Sequence, residues 1–247
     1  MCNLRATLAP HTGRTGATGP SAPGEPEGTY PDCVPPDPLS RGAYVYTSSH
    51  LHPVILNHSL RVYLFARNLA IRELTPISPP LLFVACLYHD MGTAEPHDGA
   101  QRFEVEGADA AVEYLQSHSH SHSHDSDDDD AITDEQIHDV WVAIACHTSA
   151  GIAERISPLA RLVRLGVLMD FKKGSALALT EAGEVEEHEA ALERGEIEMI
   201  LSVAVVEQAL RRPGEEQIVK APPASWPGVL VRSKLENPGW EGINKAF

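Results

Sequence analysis

The chain has 247 residues, 43% of them hydrophobic and 22% charged, enough to bury one ordinary globular core. Its formal net charge of -16 argues against a polyanion-binding surface, because nucleic acid or anionic lipid would be repelled over most of the exterior. No stretch reaches the roughly 20 apolar residues needed to cross a bilayer, the N-terminus has no apolar secretory segment, and Cys2, Cys33, Cys86 and Cys146 lack CxxC spacing. The sequence therefore reads as a soluble, cytoplasmic protein acting on a small neutral molecule rather than on nucleic acid or membrane.

Residues 1 to about 42 are rich in Pro, Gly, Thr and Ala and have no hydrophobic period that could offset the entropy of ordering, so they read as a disordered tail before the domain of residues 43–247. Helical spacing begins at Val54 and Ile55 and continues through Val62, Phe65 and Leu69 until Pro76 stops it. A second helix follows Pro79-Pro80 and runs to His89-Asp90, with Gly92 as terminator. It is apolar nearly all round, which predicts a central position. A third helix is expected over residues 103–116 and a fourth from Thr133 to about His147, where Thr133 and Gln136 have capping-box spacing. A fifth starts at Ser157-Pro158 and carries Leu159, Leu162, Val163 and Val167 towards Asp170-Phe171, and residues 184–212 add one or two more. No alternating strand pattern appears, so the fold class is all-α.

Two segments do not read as helix. Residues 117–130 alternate Ser and His through His118, His120, His122 and His124 and then become an aspartate run, a solvated loop insertion with nothing to contribute to a core. From about residue 213 the chain carries Pro222-Pro223, Trp226-Pro227 and Pro238-Gly239-Trp240. This reads as an irregular arm whose aromatic anchors pack on the helical body or, in a homo-oligomer, on a neighbouring subunit.

The chemistry-bearing residues stand out by helical phase. His58 lies one turn after Val54 and Ile55 and one before Val62; His89 and Asp90 lie one turn beyond Ala85, Cys86 and Leu87; Asp170 follows Val163 and Val167. All four are predicted to point inward. A lone histidine on an apolar face is ordinarily a satisfied core residue, but buried imidazoles and carboxylates in this number need a shared partner, and a divalent metal satisfies them together. His147 is a further inward histidine, read as a proton-transfer or substrate-orienting group, with Thr148 beside it as a hydrogen-bonding group. Glu95, Arg102 and Glu104 sit on or just after the loop leaving His89-Asp90, where loops place catalytic groups. His97 and Asp98 read as loop residues, and His138 and His188 as solvated.

The order His58, His89-Asp90, Asp170 on successive helices resembles the HD-domain superfamily of metal-dependent hydrolases and lyases. Within it, Asn57-His58-Ser59, Tyr88-His89-Asp90, Arg102-Phe103-Glu104, His147-Thr148-Ser149, Ser225-Trp226-Pro227-Gly228 and Asn237-Pro238-Gly239-Trp240 are similar to the fungal cyanamide hydratase family. The resemblance implies an HD-domain helical bundle in which His58, His89, Asp90 and Asp170 hold one Zn²⁺ per chain, with Fe²⁺ as the alternative. Two-metal members place a histidine four residues before the Gly-Ala that is Gly107-Ala108 here; the matching residue is Phe103, which implies a single metal. The implied reaction is hydration of cyanamide to urea by a metal-activated water. His147 and Thr148 would assist, and Glu95 or Glu104 would recognise the amino end. Hydration of another small nitrile or isonitrile is the near alternative, and HD-type nucleotide phosphohydrolysis, which calls for several cations such as Arg61 and Arg102 near the metal, the distant one.

Overall fold

The computed structural model describes residues 30–119 and 132–239, and its helices belong to one unit, Pro31–Phe247. Twelve helices occupy these residues: α1 Pro38–His50, α2 Pro53–Arg72, α3 Pro79–Tyr88, α4 Phe103–Ser119, α5 Asp134–Ala145, α6 Ala153–Ile156, α7 Pro158–Asp170, α8 Gly174–Leu177, α9 Glu184–Ala191, α10 Ile197–Leu210, α11 Glu215–Lys220 and α12 Trp226–Glu236. Two 3-10 turns, Met91–Thr93 and Glu95–His97, follow α3. No strand occurs among the described residues, so the fold is all-α, as the periodicity requires.

The helix starts are written in local chemistry. Pro occupies the first turn of α2, α3 and α7, where its missing N–H costs nothing and its fixed φ suits the helix. Ser157 caps α7 through Ala160 N, and Thr133 with Gln136 forms the expected capping box on α5. From Leu81 to Tyr88 every residue of α3 is buried. Each large aliphatic or aromatic side chain removed from water there contributes about 1.5–3 kcal/mol, which fixes α3 in the middle of α1, α2, α4, α5 and α7. Two glycines set the spacing around it. A Cβ on Gly92 would meet the carbonyl of Phe103 at 2.0 Å, and one on Gly166 would meet the carbonyl of Val62 at 2.6 Å. The turn after α3 can thus press against the start of α4, and α7 against α2.

The structure departs from the sequence reading at both flanks. The expected tail boundary near residue 42 falls inside α1, which begins at Pro38 behind an Asp37 cap that accepts from Ser40 N at 2.8 Å; only residues 1–29 of the expected tail lie outside the described residues. The expected irregular arm after residue 213 is instead mostly helical, as α11 and α12. Pro227 does not break the chain there because it sits in the first turn of α12 behind a Ser225 cap on Gly228 N. In the His/Asp-rich insertion, α4 continues to Ser119, residues 120–131 lie outside the described residues, and the loop reading of that stretch rests on sequence. His188, expected to be solvated, is only 4% exposed; its ring packs on Phe65 and it lies 3.7 Å from Glu184.

Candidate metal centre

His58 sits in the buried face of α2, and His89 and Asp90 sit at the end of α3, just where the chain turns into the tight corner at Gly92. His147 follows the end of α5. The four side chains are between 0 and 3% exposed.

What each imidazole does with its Nδ1 decides the chemistry. His58 Nδ1 donates to Asp170 Oδ2 at 2.6 Å. His89 Nδ1 donates to the Cys86 carbonyl at 2.7 Å, and His147 Nδ1 to the Ile144 carbonyl at 2.7 Å. Carbonyls and carboxylates only accept, so each ring carries its proton on Nδ1 and presents a bare Nε2 lone pair. These lone pairs face one another and Asp90: His58 Nε2 to His89 Nε2 is 3.2 Å, His89 Nε2 to Asp90 Oδ2 3.2 Å, His58 Nε2 to Asp90 Oδ2 3.6 Å and His147 Nε2 to Asp90 Oδ1 3.8 Å. Neither Asp90 oxygen receives a hydrogen bond.

A buried carboxylate without donors, ringed by nitrogen lone pairs, is unfavourable unless a cation sits among them. Tetrahedral ligands at about 2.0–2.1 Å from a metal lie roughly 3.3–3.4 Å from each other, close to the spacings of His58, His89 and Asp90. These three residues form a group that can hold a divalent metal.

Asp170, expected as the fourth ligand, stands elsewhere. It lies behind His58, with Arg61 Nε on its Oδ1 at 2.6 Å and Arg61 Nη2 on its Oδ2 at 2.9 Å. Arg194 reaches its carbonyl at 2.5 Å. Burial disfavours its charge, yet the hydrogen bond from His58 and the hydrogen bonds and charge of Arg61 hold its carboxyl well below the usual carboxylate range. The carboxylate therefore fixes the ring and tautomer of His58, the part an outer carboxylate plays on a metal-binding imidazole. Helical phase could show that Asp170 points inward; it could not show which side of His58 it meets. Arg61, one turn from His58, and Arg194, from the loop before α10, are site residues that the sequence reading missed or gave another part.

The remaining expectations divide. Thr148 lines the cavity above the group; its hydroxyl donates to Glu104 Oε1 at 2.6 Å and accepts from Arg102 Nη2 at 3.0 Å. With its proton engaged, Thr148 can offer a ligand only a lone pair. Glu104 is fully buried behind it and paired with Arg102 at 2.5 Å, so it positions Thr148 and does not line the cavity. Glu95 is exposed and borders a separate surface groove with His50, His52 and Val203. Burial lowers His147 to about 3, so the ring is neutral and its Nε2 is bare.

The cavity over this group holds about 520 Å³. Phe103, Val167, Leu168, Phe171, Leu201 and Trp226 make its apolar wall, and Arg164 and Lys173 its cations. Phe103 is 1% exposed, with ring centroids 5.6 Å from His147 and 5.7 Å from Trp226, so a side chain without a lone pair fills the space beside His147. Among the described residues no helix is long and apolar enough to cross a membrane.

Residues 55–166, just under half the chain, match the family described as HD domain. No curated protein matches the chain. The matched segment contains His58, His89, Asp90 and His147 and ends before Asp170. The match supports a place in the HD-domain superfamily and points to a metal-dependent enzyme, a hydrolase being the usual kind in that superfamily.

Proposed function

We propose that this protein adds water to a carbon–nitrogen triple bond, with cyanamide converted to urea as the simplest case, and that Zn²⁺ held by His58, His89 and Asp90 is its cofactor. The observation that carries the reading is the convergence of bare Nε2 atoms on an undonated Asp90 at the floor of a largely apolar cavity. His58, His89 and Asp90 would hold a divalent ion, which when bound would supply a water of lowered pKa and Lewis acidity towards the triple bond.

The chain's own groups supply the rest. His147 Nε2, bare and beside Asp90, takes the proton that the attacking water releases as its oxygen bonds to the nitrile carbon. One carbon–nitrogen π bond breaks, and its electron pair takes that proton back at nitrogen; tautomerisation then gives the amide. Water and cyanamide together account for every atom of urea. Thr148, limited to accepting, suits the amino end of cyanamide, while Glu104 and Arg102 hold its hydroxyl in place. In this reading the enzyme is a hydro-lyase.

Phosphoester hydrolysis has less support. The arginines that would clamp a phosphate are taken up elsewhere, Arg61 on Asp170 and Arg102 on Glu104, and a phosphate needs several donors at once. The test is urea release from cyanamide by zinc-loaded protein, run beside p-nitrophenyl phosphate and a nucleoside monophosphate. Urea formation that stops on chelation and returns with zinc supports hydration. Phosphate release with no urea would replace it.

A further inference from the structure

The cavity is far larger than cyanamide requires. A molecule of three heavy atoms takes roughly twice the 30 Å³ or so of a liquid water, whereas about 520 Å³ is open above His58, His89 and Asp90, a size that suits ligands of many more atoms. One side of its wall is a face of α7 and the residue that caps it, where Arg164, Leu168 and Phe171 follow at helical spacing, and it is closed by Phe103, Leu201 and Trp226.

The two cations in this wall differ. Arg164 is engaged, donating to the His147 carbonyl at 3.1 Å and to Glu154 at 3.2 Å. Lys173 also lines the cavity, and no carboxylate among the described residues pairs with it. The backbone turns to put it there. Lys172 adopts φ 53°, a left-handed conformation that costs a non-glycine residue about 1–2 kcal/mol. The turn lets Lys172 N bond the Met169 carbonyl at 2.9 Å and Lys173 N bond the Leu168 carbonyl at 2.8 Å. This pair of hydrogen bonds at the end of α7 folds Lys173 back over the stripe that lines the cavity.

The geometry points to a substrate with an apolar body that ends in a carboxylate: the reacting nitrile lies at His58, His89 and Asp90, the body lies along Leu168, Phe171 and Trp226, and Lys173 pairs with the acid. A single unpaired ammonium matches a single negative charge, whereas a phosphate would ask for more donors. The identity of the reacting group rests on the hydration reading above; the anion site does not.

Calorimetric binding to the zinc-loaded full chain separates the two. The probes are 4-phenylbutyrate and the neutral 4-phenylbutanol, measured on wild type, Lys173→Met and Lys173→Arg. The expected result is at least about tenfold tighter binding of the acid to wild type, a ratio near one in Lys173→Met, and a partial preference in Lys173→Arg. Equal binding of acid and alcohol by wild type would overturn the inference. So would a preference that survives in Lys173→Met, because the metal would then be taking the carboxylate. Turnover of 4-cyanophenylacetate beside cyanamide tests the other half: probe binding as expected with no amide formed from either nitrile would remove the hydration reading and leave the anion site standing.

Discussion

Asp170 holds His58 by Nδ1 at 2.6 Å, on the side of the ring away from the Nε2 that faces His89 and Asp90. The carboxylate therefore aims the imidazole and leaves its lone pair for a cation, and Arg61 in turn keeps the carboxylate charged.

Removing that charge while keeping the shape separates aiming from ligation. Asp170→Asn should fold and still take up zinc, with affinity weaker by about 10–100-fold, the usual cost of losing an outer partner of a metal-binding histidine. Titration against a chelator of known affinity reads it. An affinity equal to wild type would show that Asp170 does not orient His58.

His147 sits beside the group and is assigned a proton rather than a metal. His147→Ala should keep its zinc and lose about 10²–10⁴-fold in kcat for cyanamide. Metal content after dialysis and initial urea-formation rates report both quantities, and a variant that lost its metal would make His147 a ligand.

Much of this site was legible from the sequence, because α2, α3, α5 and α7 begin at Pro, Ser or Thr signals and run until the apolar period ends. The inward aim of His58, His89, Asp90 and His147 followed from that phase. Two things did not. Helix α1 has little apolar period to announce it, and only Asp37-Pro38 marks its start; Pro222, Pro223 and Pro227 read as breakers although Pro227 falls where a helix tolerates it. The partners of Asp170 and Thr148 were equally hidden, since Arg194 reaches Asp170 from a loop and Glu104 reaches Thr148 by packing between helices, which no periodicity encodes.

Acid lability should follow Asp98. Burial works against its charge, but Lys220, Arg211 and Arg212 surround it and lower its carboxyl. A carboxyl depressed in the folded state stabilises above its unfolded value of about 3.9 and loses that contribution as pH falls through the folded value. Asp98→Asn should therefore be less stable than wild type by about 1 kcal/mol at pH 7, and the difference should close as pH falls below the ordinary carboxylate range. Melting curves across that range check it; a gap independent of pH would assign the loss to packing.

The His/Asp-rich insertion offers no apolar residue between positions 118 and 130. Replacing residues 120–131 with a short Gly-Ser linker, which keeps α4 to Ser119, should leave Tm and kcat nearly unchanged. Loss of activity with loss of metal would make the insertion a metal-delivery element.

The central claim is a single divalent cation among His58, His89 and Asp90, and elemental analysis of the purified, dialysed protein tests it most directly. Wild type should carry about one zinc per chain and Asp90→Ala close to none, because that substitution removes a ligand whose two oxygens have no other partner. Two metals per chain in wild type, or one retained in Asp90→Ala, would contradict the account.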